Sequence, residues 1–149
     1  MILSASAMMV GCQNPAADNK FNGTKVEVKL LTLDPGHFHA ALVQMYMYDQ
    51  VDPVVNVYAP AGDDAKMHLD RIANYNKREK NPTTWQEQLY EGDDFLEKMI
   101  AEKKGNVVVL AGNNGKKTGY VKAAVDAGIN VLSDKPMAID AERFAVLEK

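Results

Sequence analysis

"NVVVLAGNNGKKTGYVKAAVDAGINVLSDKPMAI", Asn106 to Ile139, decides the fold. Val107 to Ala111 is β-branched and apolar without alternation, the pattern of a strand buried on both faces. Gly112-Asn113-Asn114-Gly115 is turn chemistry. A helix follows with Val121, Ala124 and Val125 as its apolar face and Gly128 as its stop. "INVLSD" then reads as a second strand. Strand, crossover helix and strand in so short a span make a βαβ unit, whose two strands must be parallel.

The same alternation extends upstream. "KVEVKLLTL" begins as an alternation at Val26 and ends as a buried run, so a first strand is expected there. "AALVQMYMY" suits a helix with Leu42, Met45 and Tyr46 on one face, and "DPVVNVYAP" a second strand closed by Pro60. Asp63 to Lys80 is polar and helix-prone, with Met67, Leu69, Ile72 and Tyr75 loosely periodic, and a short strand is expected around Trp85. "DDFLEKMIAEKKGN" reads as a helix capped by Asp93 or Asp94, with Phe95, Leu96, Met99 and Ile100 inward and Gly105 as its stop. A last helix opens at Asp140 and carries no stop signal before Lys149. The expected class is α/β, a doubly wound parallel sheet over residues 25–149, as the N-terminal part of a longer two-domain protein.

Composition narrows the partners. The chain has 149 residues, 46% apolar and 25% charged, ordinary values for one globular domain. A formal charge of −3 gives no basic face for nucleic acid. The single cysteine, Cys12, excludes an internal disulfide. It follows a short apolar run, and Val10-Gly11-Cys12 resembles the end of a bacterial lipoprotein signal, although no basic segment precedes it. Residues 1–12 are thus expected to be a signal segment with Cys12 lipidated, and residues 13–24 a polar tether. That places the domain in the bacterial envelope, touching the membrane through the lipid alone.

"LTLDPGHFHAAL", Leu31 to Leu42, joins the first strand to the first helix. His37 and His39, inside a helix, would point roughly 200° apart, so no metal site is assigned to them. A structural turn with satisfied histidines is one reading. The other is a phosphate turn, because the first strand-to-helix connection of such a sheet lies at its carboxyl edge, and Gly36 lets a pyrophosphate approach the backbone.

The block Asn106 to Ile139 strongly resembles the Gfo/Idh/MocA oxidoreductases. Ala123-Ala124, Ala127-Gly128, Asn130-Val131-Leu132 and Asp134-Lys135-Pro136 fall in step with the family, with Asp134 in place of its glutamate. The resemblance implies NAD or NADP as cofactor and a sugar or polyol carbon as the site of reaction. It implies that Lys135 is catalytic, binding the substrate oxygen beside the nicotinamide, and that Asp134 and Pro136 shape that turn. Gly36 falls at the family's middle glycine, with Asp34 and His39 at the outer two. His37 and Phe38 would then flank the phosphates, and His39 would pack under the helix. Ala59 stands where the family often has an acidic residue for the adenosine ribose, so NAD versus NADP stays open. Ala111, Gly112, Asn113 and Asn114 match the loop beneath the cofactor.

The reading is a nicotinamide-dependent oxidoreductase acting on a sugar, polyol or glycoside carbon, its cofactor tightly held. A homo-oligomer is compatible with it, and residues 25–149 alone are expected to be inactive. The alternative is a lipid-anchored binding or scaffold protein that keeps the fold without cofactor, motivated by Asp34, His39 and Ala59.

Overall fold

A computed structural model describes residues 20–149; Cys12 and most of the expected tether lie outside them. Five strands form one parallel sheet: β1 Leu30–Leu33, β2 Val54–Ala59, β3 Gln86–Glu91, β4 Val107–Leu110 and β5 Asn130–Ser133. Their spatial order is β3-β2-β1-β4-β5, so the chain winds outward from β1 in both directions. Register is continuous across the middle, with Leu33 beside Tyr58 on one side and Leu110 on the other.

Four α-helices and one 3₁₀ helix cover the two faces. The 3₁₀ helix Phe38–Gln44 and α1 Asp63–Lys77 lie on one side; α2 Phe95–Glu102 and α3 Asn114–Asp126 lie on the other, with α4 Ala141–Leu147 against α3. Alternate β1 residues feed different cores. Leu31 and Leu33 join Tyr58, Phe95, Met99, Val108, Leu110 and Ala124, whereas Leu30 joins Ala41, Val55, Ile72, Trp85 and Val109. Burying each large aliphatic of these clusters stabilises the fold by about 1.5–3 kcal/mol. Asn76 ties the α1–β3 connection to Trp85, donating to its carbonyl at 2.9 Å and accepting its N–H at 3.0 Å.

Several expectations shift. The first strand begins at Leu30 rather than Val26, because Val26 occupies a turn at φ +52°. The stretch after Gly36 winds as a 3₁₀ helix, where residues three apart eclipse one another. Ala41 and Gln44 therefore face inward, while Leu42 is exposed and Met45 and Tyr46 fall beyond the helix. In α1 only Ile72 of the four expected apolar residues is buried; Ala65 and His68 complete that face. Asp94 stands at the N-cap of α2, yet its carboxylate accepts the Tyr90 hydroxyl at 2.6 Å instead of capping. Lys103, at φ +45°, ends α2, and Gly105 serves a close approach. A Cβ there would meet the Lys29 carbonyl oxygen at 2.6 Å and Leu31 at 2.7 Å. Asp140 caps α4 as expected, accepting the Arg143 N–H at 2.8 Å.

One long-range bond fastens α2 to the sheet. The buried Tyr58 hydroxyl donates to Glu102 at 2.7 Å. That bond, helped by Lys104 and Lys98, holds the Glu102 carboxyl down at about 2. A carboxyl depressed on folding adds stability that is complete above its unfolded pKa and lost as pH falls through the folded one. The window here runs from about 4.5 down to about 2. Tyr58→Phe keeps the ring and removes the bond. In urea denaturation at stepped pH, the variant should be less stable than the parent at neutrality, and the gap should close progressively across that window.

Candidate dinucleotide site

Parallel strands all deliver their carboxyl ends to one edge, and every expected site residue among 20–149 lies there. Gly36, His37 and Phe38 follow β1, and Ala59 ends β2. Ala111, Gly112, Asn113 and Asn114 lead from β4 into α3, and Asp134, Lys135 and Pro136 follow β5.

The turns after β1 and β4 touch through their glycines. Gly112 sits at φ +102°, and a Cβ on it would lie 2.7 to 2.8 Å from Gly36 C and Cα and from His37 N. Only a residue without a side chain allows these backbones to come so close. Asp34, at φ +46°, locks the junction. One carboxylate oxygen accepts from Asn113 Nδ2 at 2.7 Å and from the Tyr120 hydroxyl at 2.8 Å. Burial and this carboxylate both raise the Tyr120 hydroxyl well above its ordinary pKa. The Asp34 carboxylate is thus turned inward and bonded.

Neither His37 nor Phe38 donates its backbone N–H to any partner among the described residues. Two free donors beside a glycine suit a phosphate. A groove of about 190 Å³ runs past them, lined by Gly36, His37, Phe38, Asp64, Met67 and Arg71. A second groove, of about 200 Å³, lies at the end of β2 between Asp34, Ala59, Gly62, Asp63 and Asp64. A third is lined by His39, Val109, Ala111, Leu132, Ser133 and Asp134, under the turn that carries Lys135. The three grooves form a row from β2 to β5, and these residues fit a dinucleotide.

Asp134 is fixed from several directions. Its Oδ2 meets His39 Nδ1 at 2.8 Å, and its Oδ1 accepts the Lys135 N–H at 2.9 Å. The His39 bond, followed by weaker pulls from Lys135, lowers the Asp134 carboxyl below its usual range. Its carbonyl oxygen accepts from Lys117 Nζ at 3.0 Å. Lys117 is only 1% exposed, and burial pulls its ammonium pKa down. Lys135 itself is exposed, and its bond to Pro136 is cis.

His39 therefore does not pack under the helix; it turns sideways to Asp134. The two histidines do not diverge either. His37 is the extended N-cap of the 3₁₀ helix and accepts the His39 N–H weakly at 3.4 Å, so the rings lie 4.3 Å apart. The 200° separation applies only to residues both inside a helix.

A sequence description of the oxidoreductase family with an NAD-binding Rossmann fold matches residues 36–147. The chain belongs to the Gfo/Idh/MocA family. A solved structure from Parabacteroides merdae, provisionally described as an oxidoreductase, is 63% identical, with a TM-score of 0.85 over 86% of this chain. This chain spans 29% of that one's length. No curated protein matches. In this Gfo/Idh/MocA domain the contributions not expected from sequence are Lys117, Tyr120 and Asp34. Lys117, Tyr120 and Ala124 are spaced three and four apart and share the buried face of α3, while Val125 is 59% exposed. That spacing was a readable signal, masked by the charge on the lysine, whose long apolar stem buries readily.

Proposed function

We propose that the full protein is a nicotinamide-dependent oxidoreductase acting on a sugar, polyol or glycoside carbon, with its cofactor held through many turnovers. The carrying observation is the row of grooves along the sheet's carboxyl edge, ending under the Asp134-Lys135-Pro136 turn. When bound, the nicotinamide supplies the hydride acceptor or donor. The free N–H groups of His37 and Phe38 would hold phosphate oxygens, with Gly36, which has no side chain, letting them approach. Asp63 and Asp64 supply the ribose acceptors that Ala59 lacks. Their charges disfavour a 2′-phosphate, so NAD is the expected form. Lys135 binds the substrate oxygen and stabilises alkoxide charge there. Asp134, gripped by His39, Lys117 and the Lys135 N–H, sets the base of that lysine.

Further parts of the reading rest on sequence. Val10-Gly11-Cys12 supports a lipid anchor at Cys12 in the bacterial envelope. The substrate pocket needs more chain than residues 25–149, which alone should show no turnover. The scaffold alternative loses a motive, since the Asp34 carboxylate is engaged by Asn113 and Tyr120.

The test is Lys135→Met in the full-length protein, assayed against a panel of aldoses, polyols and glycosides. Turnover should fall by about 10²- to 10³-fold, the scale of one lost oxyanion contact, with cofactor affinity nearly unchanged. Undiminished turnover would remove Lys135 from the chemistry; no turnover by the parent on any member would overturn the substrate class.

A further inference from the structure

We propose that His37, His39 and Asp134 form a binding site for one divalent transition-metal ion of the zinc class. One ligand atom from each lies within 4.8 Å of the others, although Asp134 is 95 residues from His39 in the chain. Around zinc, with bonds of about 2.0–2.1 Å, tetrahedral ligand atoms sit roughly 3.4 Å apart. Reaching that spacing requires side-chain rotation at one exposed histidine and a small parting of His39 from Asp134. The ion takes the place between Nδ1 and Oδ2, now 2.8 Å apart, and His39 binds it as the neutral imidazole with its ring proton on Nε2.

The donor set selects the metal. Two imidazoles and one carboxylate suit zinc and its neighbours, whereas magnesium and calcium prefer all-oxygen cages. Three protein ligands leave at least one position open for water or a ligand from the adjacent groove. Asp134 is already oriented for the task, since its other oxygen is held by the Lys135 N–H and its carbonyl by Lys117. Such outer contacts fix a ligand's direction and sharpen affinity. His37 has little other employment: it is exposed, and among the described residues its ring meets a 3.4 Å contact from the His39 N–H and the neighbouring Phe38 and His39 rings. The observations behind this site are side-chain geometry alone and stand without the dinucleotide reading.

Residues 1–149 contain three histidines and one cysteine, and the third histidine, His68, is 2% exposed within the fold; the double variant His37→Ala/His39→Asn separates this site from ligands elsewhere in the full-length protein. The full-length protein carrying Cys12→Ser is stripped with chelator and titrated with Zn²⁺ alone, with Co²⁺ as an absorbing substitute. The parent is expected to bind one ion per chain more than the double variant, with a ligand-field band from nitrogen and oxygen donors lost in that variant. His37→Ala and His39→Asn should each lower affinity by about 100-fold, while Mg²⁺ and Ca²⁺ fail to compete. His37→Ala removes only a weak 3.4 Å cap bond, so urea unfolding of the metal-free variant should show at most a small loss, and lost binding cannot be lost folding. A parent that binds no more ions per chain than the double variant His37→Ala/His39→Asn overturns the proposal.

Discussion

Gly112→Ala should pry apart the turns that follow β1 and β4. The new methyl would lie 2.7 to 2.8 Å from Gly36 and His37 backbone atoms, none of which can rotate aside. Alanine at φ +102° is strained whatever the space. Strain and overpacking together should cost about 2–5 kcal/mol of stability. Function should suffer beyond that, because the His37 and Phe38 N–H donors are displaced. Calorimetric titration of still-folded variant should show dinucleotide affinity down by at least about tenfold, equivalent to about 1.4 kcal/mol. Parental affinity and stability in Gly112→Ala would mean that the two turns do not support each other.

The second large effect belongs to Asp34. Its carboxylate accepts two hydrogen bonds and is 5% exposed. Bonds to a charged acceptor contribute about 1.5–3 kcal/mol each, and Asp34→Ala also leaves the Tyr120 hydroxyl and Asn113 amide unpaired. A loss of about 3–5 kcal/mol is expected from urea unfolding. Asp34→Asn should cost less, since asparagine tolerates φ +46° and keeps an acceptor. Tyr120→Phe supplies the coupling test. Combined with Asp34→Ala it should add almost nothing, because the bond is already gone. Full additivity would show that Tyr120 and Asp34 do not act together.

The Asp34 network also marks where sequence reading stopped. The alternation of strands and helices was legible because β1, β2 and β4 are buried on both faces and carry apolar runs interrupted only at Thr32 and Asn56. The winding order followed from parallel crossovers, and the block around Asp134-Lys135-Pro136 pointed to the edge where the site lies. What failed to show were long-range pairings between polar groups. Nothing local tells that Asp34 faces Tyr120, 86 positions onward, or that His39 meets Asp134. The 3₁₀ winding after His37 escaped for a related reason. Ala40, Ala41 and Gln44 fill its buried side, and small or polar residues give no apolar period to detect. In α3 the buried lysine hid the true face, and the exposed Val125 suggested a false one.

A dinucleotide held along this carboxyl edge would be released when the chain unfolds. The direct measurement is mass spectrometry of small molecules released when the purified full-length protein is denatured. Near one NAD per chain is predicted, from a site that keeps its cofactor through purification. A ligand of the native state must also raise stability. Absence of any nucleotide, with no rise in melting temperature on adding either NAD or NADP at millimolar concentration, would contradict a dinucleotide site at this edge.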